Sequence, residues 1–249
     1  MPALPGTPLY KPEEGIKKII SSAAKDIDAL QAAGVDAIMF GNENDRPYEL
    51  NVNMASTATM AFVIGQVKNK ISVPFGVNVL WDPMSTIALA AATGADFVRE
   101  IFTGTYASDM GYWSPNAGKA MRYRNQLHRE DLLMFFNISA EFAHSLDQRS
   151  LEDRAKSVSF SSLPDAVLVS GQITGESAKI NDLESVKNVL PLIPVLANTG
   201  VKLDNVRDIL GIADGAIVGS SLKIDGNTWN EVDPERAKTF MDTVRKLRK

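Results

Sequence analysis

Alternate helix-to-strand junctions of this chain carry one small repeated mark, and that repetition limits the fold more than any other feature. Gly34-Val35-Asp36-Ala37, Gly94-Ala95-Asp96-Phe97, Pro164-Asp165-Ala166 and Ala213-Asp214-Gly215 each place an aspartate at the entry to an apolar run. The runs between them end differently: Val73 to Asn78, Leu132 to Asn137 and Ile193 to Asn198 all finish on asparagine. Two alternating strand signatures separated by helical segments describe repeated βαβα quarters. Strands are expected at 35–41, 73–80, 95–101, 132–138, 166–170, 194–198 and 216–219. They are short and mostly apolar on both faces, as when helices cover both faces of a parallel sheet. Before the first of them, Ile16, Ile19, Ile20, Ala23, Ala24, Ile27 and Leu30 share one face of a helix. Gly34 suits its end. A last helix starts at Asp233-Pro234, a cap followed by proline in the first turn. Eight helices against seven strands, opening on a helix, fit a (β/α)8 barrel whose first strand is absent or cut short in this chain. A seven-stranded barrel or an open doubly wound sheet are the alternatives. The 249 residues suffice for one such domain, 1–249.

Composition removes several function classes. The 26 basic and 30 acidic residues leave a net charge of −4, against a nucleic-acid binder. The chain has no cysteine, which excludes disulfides, thiolate metal sites and a cysteine nucleophile. No window of about 18 uncharged apolar residues would span a bilayer. Met1 to Tyr10 lacks the basic start and apolar run of a signal peptide, so the expectation is a cytoplasmic protein. A homo-oligomer stays open.

In barrels of this kind the site lies at the C-terminal strand ends. Asn78, Asn137 and Asn198 share one offset on alternate strands, and Asn42 follows the strand ending at Gly41. Inward amides there would suit a polyhydroxy ligand or a carbonyl oxygen; alternatively they bond one another and cap the core. Gly171, Thr199, Gly200, Gly219, Ser220 and Ser221 follow the last three strands, where backbone N–H groups can hold a phosphate. The bland alternative is that the glycines only turn the chain. Lys223 would add charge or stay solvated. The spacing of a Walker loop is missing.

For proton transfer the candidates are Asp109, in the long segment Phe102 to Ser114, and Glu43, with Arg99 to orient the ligand. Asp109 is otherwise a turn residue. Strand alternation sends Arg99 and Glu100 to opposite faces, and either one could be the inward residue. A Glu43–Asp109 pair could share acid and base roles or bind magnesium, although no metal site is assigned. His128 has a surface context; His144 either reaches the mouth or does not. No lysine ends an inner strand, which disfavours a Schiff-base aldolase.

The chain resembles the BtpA family of TIM-barrel proteins, within it the SgcQ-type subgroup. The likeness rests on Ala3-Leu4-Pro5-Gly6, Gly76 to Leu80, Ala92 to Arg99, Ala197 to Val201, Ser221 to Gly226 and Asp233-Pro234-Glu235-Arg236. Family members usually carry a histidine-bearing strand before the proline-glycine loop; here Met1 stands where it would end. Many also carry Asp-x-His-x-Lys-His after the fifth strand, where this chain reads Asn137-Ile138-Ser139-Ala140-Glu141-Phe142. The resemblance implies a (β/α)8 TIM barrel but no single reaction. The expectation is an enzyme binding a small phosphorylated, sugar-like molecule, as isomerase or epimerase, lyase or hydrolase. Its rivals are a non-catalytic assembly factor, as in photosystem I biogenesis, and a nucleoside triphosphatase. An enzyme predicts an open polar pocket at the mouth; an assembly factor predicts a plugged mouth and exposed apolar surface.

Overall fold

A computed structural model describes residues 1–248. Its main sheet has seven parallel strands: β1 (Ile38–Gly41), β2 (Phe75–Asn78), β3 (Phe97–Glu100), β6 (Leu133–Asn137), β8 (Ala166–Val169), β9 (Val195–Ala197) and β10 (Gly215–Ala216). They lie side by side in that order, so the sheet never reverses direction as a doubly wound sheet must. Each overlaps one of the expected runs. A second, antiparallel sheet joins β4 (Tyr106–Ser108), β5 (Gly111–Trp113) and β7 (Ala143–Ser145). It was not expected; the segment 102–114 read as a loop.

Among the described residues, eight α-helices wrap the sheet: α1 (Gly15–Ala33), α2 (Met54–Val67), α3 (Pro83–Thr93), α4 (Ala117–Gln126), α5 (Leu151–Ser162), α6 (Ile180–Val189), α7 (Val206–Leu210) and α8 (Pro234–Leu247). Gly34 ends α1 in the left-handed region, φ 79°, and its N–H caps the carbonyls of Leu30 and Gln31. Asp233 caps α8 as expected, accepting from Glu235 and Arg236. None of these helices is long and apolar enough to cross a membrane.

The aspartate marks act as clamps between strands. Asp96 accepts the N–H of Phe75 on β2, Asp165 that of Met134 on β6, and Asp214 that of Val195 on β9, each at 2.8 Å. Each also donates its own N–H back to the same strand. One aspartate therefore fixes the register of two strands at the N-terminal end of the barrel. Asp36 is the fourth of the set, but no strand flanks β1 on that side. It pairs with Arg248 instead, at 2.9 and 2.6 Å. The sheet thus stays open between β1 and β10, as the missing first strand implied. The helix ring closes over the opening, because α1 packs on both α2 and α8. Beside β1 runs the segment from Met1 to Leu4, with Leu4 fully buried and its N–H held by Asp45.

Alternation along the strands sorts the interior into layers. Gly76, Phe97 and Phe135 share the inner face two residues below Asn78, Arg99 and Asn137. Phe97 and Phe135 stack at 5.0 Å, and a Cβ at Gly76 would lie 2.2 Å from the Phe97 ring. Glycine at 76 makes room for that ring, and the polar layer sits on an aromatic floor.

Candidate functional site

Arg99 is the hub of the polar layer. Its Nε donates to Asn198 at 2.9 Å, Nη1 to Asn78 at 2.9 Å and Nη2 to Glu141 at 2.8 Å. Arg99 is only 7% exposed and Glu141 8%, so this is a buried ion pair. Asn198 reaches on to Glu141 and to Ser170, and Asn137 reaches the same Ser170 hydroxyl. The three asparagines of common offset thus join one network, through Arg99 and Ser170.

Glu100 also enters this network. It is the last residue of β3, in register with Phe136 of β6. Its carboxylate accepts from the side-chain amide of Asn78 and from the N–H of Ile101. Burial pushes its carboxyl up to about 7, against the pull of Arg99. Glu43 is likewise raised, first by burial and then by the charge of Glu141, with Arg99 opposing. Two carboxylic acids are therefore tuned upward beside one fixed cation, an arrangement suited to giving and taking protons.

Glu43, Arg99, Glu100 and Glu141 line a narrow recess of about 20 Å³ at the C-terminal strand ends. Tyr48, Trp81 and Phe142 line its other side. They continue into an aromatic roof under the small sheet: Trp81 meets Trp113 edge-on at 5.2 Å, and Trp113 lies 5.1 Å from Tyr106. Trp81 is buried at φ 68°, a left-handed conformation that costs a bulky residue about 1–3 kcal/mol. Its indole N–H has no partner among the described residues.

Other expected residues lie elsewhere. Asn42 is buried, and its carbonyl oxygen accepts the N–H of Leu80 at 2.8 Å, tying the loops after β1 and β2 together. Asp109 occupies the exposed tip of the β4–β5 hairpin and does not line the recess. The carboxylates that share the recess with Glu43 are Glu100 and Glu141. Lys223 is paired with Asp26 on α1 at 3.0 Å. His128 and His144 are both exposed, His144 on β7. Among the described residues, no three histidine, aspartate or glutamate side chains are grouped to hold a metal ion.

The glycine-rich loops divide in two. The Gly171 N–H donates to Thr199 Oγ1 at 2.6 Å. A Cβ at Gly171 or Gly200 would lie 2.2 Å from the backbone of Glu176 or Ser177. The Gly200 carbonyl accepts from Ser177 and Asn205. These two glycines let one loop pack on another. Gly219 is exposed and faces open space. Its N–H and those of Ser220 and Ser221 have no protein acceptor among the described residues.

Trp81 and Glu141 were not proposed as site residues from the sequence, Glu100 was weighed only as the neighbour of Arg99 on the opposite face, and Ser170 only as the start of a glycine-rich loop. The usable signal for Glu141 was a carboxylate four residues beyond Asn137, in the stretch that departs from the Asp-x-His-x-Lys-His pattern.

Comparison with known proteins places this geometry. The BtpA family model matches residues 1–246. The sgc region protein SgcQ of Escherichia coli (strain K12) is 45% identical over 247 residues, 99% of this chain and 92% of that one. The photosystem I biogenesis protein BtpA of Synechocystis sp. is 32% identical over 229 residues, 91% of this chain and 79% of its own. Among solved structures, (S)-3-O-geranylgeranylglyceryl phosphate synthase from Thermoplasma acidophilum, in complex with sn-glycerol-1-phosphate, superposes with a TM-score of 0.60. It is 16% identical, and the match covers 90% of this chain and 87% of that one.

Proposed function

The chain belongs to the BtpA family, and from that premise we propose that it is a TIM-barrel enzyme acting on a small phosphorylated, sugar-like molecule at the C-terminal strand ends. The observation that carries this reading is the shared recess: Glu43 and Glu100, both raised by burial, face it together with Arg99. Isomerisation or epimerisation, aldol-type cleavage and hydrolysis all need one group that takes a proton and one that gives it. Glu43 is the proton-transfer residue, Glu100 its counterpart, and Arg99 with Asn78 and Asn198 orients hydroxyl or carbonyl oxygens. The free amides of Gly219, Ser220 and Ser221 receive the phosphate. The glycerol-phosphate complex of the structural relative supports a phosphate at such a rim by analogy of fold.

One second reading has its own support. The polar layer is hydrogen-bonded to itself, and Phe160 and Leu192 remain 89% and 94% exposed, as an assembly factor would keep a partner surface. Thermal shift separates the readings. The full chain is screened against aldose and ketose phosphates, the same sugars without phosphate, and nucleoside triphosphates. A ligand at a hundred times its dissociation constant stabilises by about 2.7 kcal/mol. The enzyme reading expects a rise of several degrees with a sugar phosphate, retained in Glu43→Gln while turnover is lost. No rise with any phosphorylated sugar favours the assembly factor; a rise confined to triphosphates favours the triphosphatase.

A further inference from the structure

Arg46 lies in the loop after β1, and its guanidinium sits 3.6 Å over the ring of Trp229. Trp229 belongs to the loop after β10, so the stack joins two loops across the open edge of the sheet. Among the described residues Arg46 forms no ion pair and no side-chain hydrogen bond, and its Nε is buried without a partner. Of the nearby acids, Asp45 holds the N–H of Leu4 through Oδ1 while its Oδ2 is buried without a partner among the described residues, and Glu43 faces the recess; neither forms an ion pair with Arg46. An arginine has five donors and ordinarily uses them.

Its surroundings point to an anion. Thr228, the neighbour of Trp229, shares a 2.6 Å hydrogen bond with Ser220. Ser220 lies between the unpartnered amides of Gly219 and Ser221, and a Cβ at Gly175 would come within 3.9 Å of its hydroxyl. The loop after β8 thereby meets the β10 loop at Ser220, and the loop after β1 meets the same β10 loop at Trp229. The charge of Arg46 is also felt at Tyr48, a wall of the recess. Lys223, the other cation of this rim, is already spent on Asp26.

We infer that Arg46 is the residue that recognises the phosphate group of the ligand, its planar fork closing over a phosphomonoester seated on the amides of Gly219 to Ser221. The stack on Trp229 covers one face of the guanidinium, and its N–H groups, unpaired among the described residues, are the donors a phosphate would take. This rests on the phosphate-binding reading above and adds the cation that reading lacks.

The test is titration of the full chain with inorganic phosphate, followed by melting temperature, with chloride at matched ionic strength as control. The wild type should rise specifically with phosphate. Arg46→Gln should weaken the apparent dissociation constant about tenfold or more, as loss of a charge-assisted contact does, and Arg46→Lys should recover part of it. An Arg46→Gln chain that melts lower but keeps the full phosphate response overturns the inference and makes the stack a loop clasp only. Should Arg46→Gln fail to fold, the Nε–H resonance of Arg46 in the wild type decides: a phosphate-dependent shift supports the assignment, and an unmoved resonance overturns it. No phosphate response in the wild type refutes the underlying reading itself, a result distinct from an unaltered response in the variant.

Discussion

Arg99 holds the polar layer together, and its energetics follow from burial. An exposed ion pair contributes little, but a buried charge stripped of its partner is costly. Arg99→Met should lower the unfolding free energy by about 3–5 kcal/mol, because the carboxylate of Glu141 is left buried with only the Asn198 amide and the Thr174 hydroxyl as partners. Urea unfolding measures this, and a loss under about 1 kcal/mol would mean that water reaches the pair. Glu100 gives a pH signature. Its carboxyl is raised from 4.5 to about 7 by burial, so the folded chain favours the protonated acid. That preference is fully present below about pH 4.5 and is lost as pH climbs through 7. Each pK unit is worth about 1.4 kcal/mol, which puts the change on the order of 3 kcal/mol. In Glu100→Gln the decline in stability between pH 4.5 and 7 should be shallower than in the wild type. Parallel curves for the two proteins would place Glu100 in contact with solvent.

The clamp aspartates turn a sequence mark into a prediction about strands and helices. Asp96→Ala and Asp165→Ala each remove a charged acceptor from a strand N–H and should cost about 1.5–3 kcal/mol. Asp36→Ala removes only an exposed pair with Arg248 and should cost under about 1 kcal/mol. Equal losses at Asp36 and Asp96 by chemical denaturation would show that Asp36 also clamps a strand. The same mark explains why the barrel could be read from the chain: aspartate and asparagine signatures alternate at fixed places, and apolar runs announce the strands between. The β4–β5 hairpin and β7 escaped because three-residue strands are too short for a period to register. For the site, Asn78, Arg99 and Asn198 were legible because strand ends line a barrel mouth. Glu141 and Trp81 were not, because they sit in loops. Asp109 was chosen on loop length, with a turn residue as the alternative, and the hairpin carries it to an exposed tip. Glu100 escaped because alternation sets it on the opposite face from Arg99, yet its carboxylate meets the side-chain amide of Asn78.

Across the whole molecule, a (β/α)8 plan lacking one strand is closed on the outside by α1 against α8, while its mouth is roofed by a small aromatic sheet. The roof leaves a narrow recess rather than the open pocket expected of a free barrel mouth, and it buries the acids enough to tune them. Outside that recess, the rim at Gly219 to Ser221 stays accessible, with its amides unpaired among the described residues. The account therefore stands on this rim receiving a phosphorylated ligand. Its most direct check is the amide spectrum of isotope-labelled protein during titration with a sugar phosphate. The account predicts saturable downfield movement of the Gly219, Ser220 and Ser221 N–H signals, with the Arg99 side chain perturbed in step. Still signals at all three amides, or saturable movement confined to another face of the molecule, would contradict it.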